Sequence, residues 1–171
     1  MIAHQPEQIM ATYVEIRNHP RWFGVPLDRE PAQIRTAILF DSKLKASTMR
    51  TLKWEGDTPR QLTDSTVIES AASKRLYVFA KRPYSEEYFI FNPSSLDAPM
   101  PDRYKAYSDH RREFAIELRD QKGRRYRFAV EARNSEGDVQ AVVEHSWRER
   151  LARFRQGMDI AREAFTFQRF D

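Results

Sequence analysis

The chain has 171 residues, 40% apolar and 12% aromatic with 32% charge of mixed sign, a globular composition long enough to bury a core. It has no Cys, which excludes disulfide frameworks, thiol nucleophiles and thiolate metal sites. Its 29 Lys and Arg against 25 Asp and Glu give a net charge of +4, a mild bias toward an acidic partner that an interleaved, solvated surface explains equally.

The segment Met1-Ile2-Ala3-His4-Gln5-Pro6 has no basic stretch followed by an apolar run, and nowhere do about 18 apolar residues follow one another. The expectation is a soluble, cytoplasmic chain without a transmembrane segment. Ile9, Met10, Tyr13, Val14 and Ile16 recur at three- and four-residue spacings between Pro6 and Pro20, which predicts a short N-terminal helix over about residues 6–19. Trp22 and Phe23 follow in an aromatic turn segment and are expected to pack under a sheet.

The texture then changes to short β-rich runs at residues 34–40, 48–54, 66–70, 76–81, 87–91, 113–119 and 125–133, which predict seven strands. Turn residues separate them, among them Glu55-Gly56-Asp57 and Asp120-Gln121-Lys122-Gly123, and the last two runs make the clearest hairpin. Phe114, Ile116 and Leu118, and on the next run Tyr126, Phe128 and Val130, alternate with polar or small residues, giving each strand one buried face. Residues 92–101 carry three prolines and read as a long loop.

In the last third, Ser135-Glu136-Gly137-Asp138 has the form of a capping box, and Val139, Val143, Trp147, Leu151, Phe154, Met158, Ala161 and Phe165 recur at helical steps. Glu144 with Arg148 and Glu149 with Arg153 add i,i+4 pairs, and Gly157 marks a kink or cap. Together these elements predict an α+β fold in one domain, residues 1–171. It comprises an antiparallel seven-stranded barrel-like sheet within a strand-rich body over about residues 34–133, capped by a long C-terminal helix over about 136–168, with the short N-terminal helix outside.

Residues 112–157 hold, in order, the strand 113–119, the turn ending at Gly123, the strand 125–133, the acidic cap Ser135-Glu136 and Trp147. In that order they resemble the C-terminal end of a pleckstrin-homology domain. The resemblance implies a barrel of about seven strands closed by a helix, with anions bound by basic residues on the first two strands and their loop. Lys43, Lys45, Arg50 and Lys53, followed by Trp54, occupy the corresponding region, although Arg50 and Lys53 are separated by two residues and do not reproduce the family's K/R-x-R spacing.

The densest basic pattern is Arg111-Arg112 followed by Lys122, Arg124, Arg125 and Arg127, on and around one hairpin. Arginine suits phosphate and carboxylate through its planar fork, and Tyr104, Tyr107 and Tyr126 lie close enough in sequence to stack on bases. An exposed hairpin face with cross-strand partners in Glu113, Glu117 and Glu131 accounts for the same residues. His4, His19, His110 and His145 are scattered without metal-ligand spacing, and five Gly leave no phosphate-binding loop. No catalytic residue, metal ligand or cofactor is assigned.

The expected function is a non-catalytic binding or adaptor module for a protein partner or an anionic ligand, using Lys43, Lys45, Arg50, Lys53, Arg111, Arg112, Arg124, Arg125 and Arg127. An anionic lipid headgroup is one such ligand, and self-association through the C-terminal helix, which ends in Phe165, Phe167 and Phe170, is a further expectation. The alternative is a nucleic-acid-binding protein, in its enzymatic form a Mg²⁺-dependent nuclease built on Glu30, Asp41 with Lys43, and Glu69. The E-x-K that such an enzyme needs is missing after Glu69.

Overall fold

A computed structural model of the chain describes residues 9–18, 30–41, 50–56, 65–91, 106–135, 138–143, 159–160, 163–164 and 168–170. Thirteen strands run through them: β1 (Ile9–Arg17), β2 (Ala32–Asp41), β3 (Arg50–Thr51), β4 (Lys53–Trp54), β5 (Thr66–Ile68), β6 (Ser73–Lys81), β7 (Tyr88–Ile90), β8 (Arg111–Asp120), β9 (Arg125–Ser135), β10 (Asp138–Val143), β11 (Asp159–Ile160), β12 (Glu163–Ala164) and β13 (Gln168–Phe170). All their pairings are antiparallel. The seven runs read from the sequence all contain strand.

Two predicted helices are corrected. No helix occurs among the described residues, and the α+β fold with a long C-terminal helix gives way to an all-β, curled sheet. The first segment is β1, paired along its length with β6. Ala11, Thr12, Tyr13 and Val14 are all buried, so this strand is covered on both faces and lacks alternation, and its register shifts between Thr12 and Tyr13. A doubly buried, bulged strand leaves apolar residues at spacings that imitate a helix. At the other end, Ser135 and Asp138 do not cap a helix: they pair with each other across Glu136-Gly137, closing β9 onto β10. Val139, Ala141 and Val143 are buried while Gln140 and Val142 are partly exposed, a period of two. Further on, β11, β12 and β13 are strands, so a helix does not run on to residue 168. Trp22, Phe23, the 92–101 loop, both i,i+4 pairs, Trp147 and Gly157 lie outside the described residues.

One sheet runs β11-β1-β6-β4 with β13 on β1 and β7 on β6; the other runs β12-β10-β9-β8-β2-β3 with β5 on β2. They join at two seams. At the first, β3 pairs with β2 and β4 with β6, so the chain crosses from one sheet to the other at Leu52, which is buried and whose N–H donates to Ala37 O at 2.8 Å. At the second, β11 and β13 pair with β1, β12 pairs with β10, and Thr12 Oγ1 donates to Val139 O at 2.6 Å. Between the sheets lies one apolar cluster that includes Trp54, Phe79, Phe91, Phe114 and Phe128, each contributing about 1.5–3 kcal/mol by leaving water. Phe79 meets Phe114 and Tyr88 at ring-centroid distances of 5.1 and 5.6 Å. No described helix is long and apolar enough to cross a membrane.

Candidate functional site

The β8–β9 hairpin carries most of the sequence-predicted basic residues, and its register decides what they do. Gly123 takes φ +79° in the turn, where a side chain would be strained, and each rung follows by counting back from it. Phe114, Ile116, Leu118, Tyr126, Phe128 and Val130 point into the core. The residues between them lie on the other side of the hairpin as five rungs, of which Ala115 and Glu131 are buried: Arg119 opposite Arg125, Glu117 opposite Arg127, Ala115 opposite Ala129, Glu113 opposite Glu131, and Arg111 opposite Arg133. Phe40, Ile38 and Thr36 of β2 extend the three rungs nearest the turn side and centre, each partly exposed.

The ladder separates residues that are close in sequence. Eight residue steps of strand, about 27 Å at ~3.4 Å per residue, separate the Arg111 rung from the Arg119 rung. Arg111 and Arg112 stand at one end of the barrel and Arg124, Arg125 and Arg127 toward the other. Arg124, Arg125 and Arg127 are exposed. Lys122 pairs with Glu30, and the Arg124 N–H donates to Asp120 Oδ1 at 2.8 Å. Arg127 lies over the Phe40 ring at 5.9 Å, and neither Arg125 nor Arg127 has an ion pair among the described residues. Arg119 donates to Glu117 at 2.7 Å. The two rungs nearest the turn thus hold three guanidiniums and one carboxylate, and that carboxylate pairs with Arg119. On the other half, Glu131 accepts from Arg133 at 3.1 Å and lies 3.5 Å from Arg111, so charge is balanced there.

The other predicted basic residues do not join this face. Lys43 and Lys45 lie outside the described residues, Arg50 pairs through its backbone with Leu39, and Lys53 is buried opposite Tyr77. Arg112 is clamped: Nε and Nη2 donate to Asp41 Oδ2 at 3.1 and 2.7 Å, Nη1 donates to Asp109 Oδ2 at 2.6 Å, and the guanidinium lies 4.5 Å from the Tyr107 ring centre. Burial opposes its charge, but the two carboxylates outweigh that and hold its pKa above the ordinary value.

The same barrel end holds a second buried network. Lys81, 2% exposed, donates to Asn134 Oδ1 at 2.8 Å and Ser135 O at 2.9 Å, and Asn134 Nδ2 donates to Glu86 O at 2.5 Å. The Tyr88 hydroxyl is buried without a hydrogen-bond partner among the described residues, and burial pushes its pKa up. These groups tie β2, β6, β7, β8 and β9 together at one end, which is a structural task.

Two chemical readings lose their geometry. Tyr107 and Tyr126 are buried and present no ring for base stacking, while Tyr104 lies outside the described residues. Asp41 ends β2 whereas Glu30 precedes it, about 36 Å of extended chain away, and Glu69 is on a different turn. No group of three His, Cys, Asp or Glu among the described residues could hold a metal ion. Sequence reading missed Arg119 and Phe40 as members of the face; counting rungs back from Gly123 would have found Arg119, whereas Phe40 needs the β2–β8 pairing.

Comparison of the chain with protein-family models, with curated proteins and with solved structures gives no match.

Proposed function

We propose that the chain is a non-catalytic recognition module that engages an anionic partner, a protein in the first instance, through the turn half of the outer β8–β9 face. One observation carries this reading: Arg119, Arg125 and Arg127 stand on two adjacent rungs with one carboxylate, Glu117, which pairs with Arg119, and Arg125 and Arg127 are exposed with no ion pair among the described residues. Fixed on paired strands, these guanidiniums lose less freedom on binding than loop side chains would. The surface offers planar, bidentate donors suited to carboxylate or phosphate groups. The Arg112 clamp and the Lys81 network hold the far end of the ladder in place.

The test is binding of labelled polyglutamate, anionic vesicles and single-stranded RNA across a salt series. Arg125→Glu with Arg127→Glu should weaken the preferred anion by about tenfold or more and flatten its salt dependence, whereas Arg111→Glu should leave both nearly unchanged. Equal losses from Arg111→Glu and from the double variant would overturn the assignment to this half of the face. RNA as the preferred anion would move the partner from protein to nucleic acid.

A further inference from the structure

The β6–β7 turn, residues 82–87, holds Tyr84 at φ 63°, a conformation that glycine adopts freely and a bulky residue adopts at a cost. Its side chain is fully exposed, so nothing within the chain repays that cost. Glu86 and Glu87 beside it are exposed too, and neither has an ion pair among the described residues. The turn is nonetheless fixed: the Ser85 N–H donates to Arg82 O at 3.2 Å, the Glu87 N–H to Ser85 Oγ at 3.1 Å, and Asn134 Nδ2 to Glu86 O. A strained, preorganised turn that shows water an aromatic ring and two idle carboxylates has the make-up of a recognition element.

Resting on the recognition reading above, we infer that the partner is a second copy of this chain, whose Tyr84–Glu87 turn docks on the turn half of the β8–β9 face. The charges match: Glu86 and Glu87 meet Arg125 and Arg127, which are exposed and without an ion pair among the described residues. The Tyr84 ring meets the Arg127 guanidinium and the partly exposed Ile38 and Phe40 of β2 beside it. Aromatic faces and guanidiniums attract, and Arg127 already lies over one such ring, Phe40, at 5.9 Å. Glu117 remains with Arg119 and takes no part.

The two elements do not meet within one copy. Asn134, which holds the turn, lies nine residue steps along β9 from Arg125, about 31 Å at ~3.4 Å per residue. An unrelated acidic protein or a nucleic acid would occupy the arginines and leave Tyr84 and its carboxylates without a contact. A second copy engages both. Because turn and face are different surfaces at opposite ends, the contact is head to tail, and copies add into a ring or an open chain.

Sedimentation of the full chain tests this, from about 1 to 300 µM and across a salt series. The average mass should rise above that of one copy with concentration and fall back with salt. Arg125→Glu with Arg127→Glu should weaken association by about tenfold or more, and Glu86→Arg with Glu87→Arg by as much. An equimolar mixture of the two variants should associate again, because each reversed element finds its complement. Tyr84→Gly should also weaken association by about tenfold, with no loss in thermal midpoint. Circular dichroism on each variant confirms that the sheet is intact. A chain that stays a single copy but binds polyglutamate through Arg125 and Arg127 would leave the recognition reading standing and overturn the second copy as its partner; RNA bound there instead would assign the face to nucleic acid and overturn it too. A chain that neither associates nor binds polyglutamate would overturn both readings. Association that survives either charge reversal, or that a mixture of the intact variants fails to restore, would overturn the docking inferred here.

Discussion

Arg112 divides its guanidinium between two carboxylates with very different access to water: the Asp41 side chain is 0% exposed and that of Asp109 is 41% exposed. The distances are similar, 2.7 and 2.6 Å, so burial rather than contact should set their worth. Asp41→Asn keeps the shape but strips a buried cation of its buried partner. Breaking such a pair costs about 3–5 kcal/mol, and about 3 kcal/mol is expected because Asp109 remains. Asp109→Asn removes a pair open to solvent and should cost less than about 1 kcal/mol. With a urea m-value of about 2 kcal/mol/M, the unfolding midpoint should fall by ~1.5 M for the first variant and less than ~0.5 M for the second. A double-mutant cycle with Arg112→Met should give Asp41 a coupling energy above about 2 kcal/mol. Equal midpoint shifts for the two Asn variants would refute the reasoning, since distance would then decide and burial would not.

Three further outcomes are expected. The Asp138 carboxyl is held above its ordinary value first by burial, with hydrogen bonds from Gln140 and the Val139 backbone and the charge of Lys81 working the other way. The folded state therefore binds more protons between the unfolded and folded values, and stability should fall as pH rises through that window. Urea titrations between about pH 3 and 7 should show this decline flattened in Asp138→Asn, and an unchanged slope would exclude Asp138 as its source. Tyr84 takes φ 63° at a fully exposed turn, and Gly123 takes φ 79° with nothing near a would-be side chain. Tyr84→Gly should be neutral or stabilise by up to about 1 kcal/mol, while Gly123→Ala should destabilise by about 1 kcal/mol; opposite signs in thermal melts would count against backbone strain as the cause. Thr12→Val keeps the volume but leaves Val139 O at the seam without its donor, and should cost about 1–2 kcal/mol in denaturant midpoint analysis.

The strands were legible wherever one face is wet. In β8 and β9 alternation survives outside the buried runs 114–116 and 130–132, because Phe114, Ile116 and Leu118 face the core and Glu113, Glu117 and Arg119 do not, and the turn chemistry around Gly123 set their register. It failed at β1, whereas β6 and β7, equally covered, were short enough apolar runs to be read as strands. β1 is buried from Ala11 to Val14, and a run without alternation looks the same to a helix template as to a strand. The C-terminal error has a different origin: a polar tetrapeptide with Gly at its third position serves a cap or a tight hairpin, and the pairing with β9 decides between them. For the site, the types of residue were readable and their grouping was not. Arg111 and Arg112 precede the hairpin turn by about ten positions, yet tertiary pairing sends Arg112 to a carboxylate 71 positions earlier.

The seam at β1 also sets a timetable. Residues 9–17 leave the ribosome before their partners in β6, β11 and β13, the last of which follow about 160 positions on. At roughly 5–20 residues per second, that edge stays incomplete for on the order of ten seconds. Until then a strand buried on both faces in the finished barrel offers bare backbone groups and apolar side chains to any neighbouring nascent chain. β11 and β13 therefore cover that edge only after the other described strands it needs, and a stop codon placed before β11 should yield aggregates in a cell-free translation rather than a slightly shorter sheet.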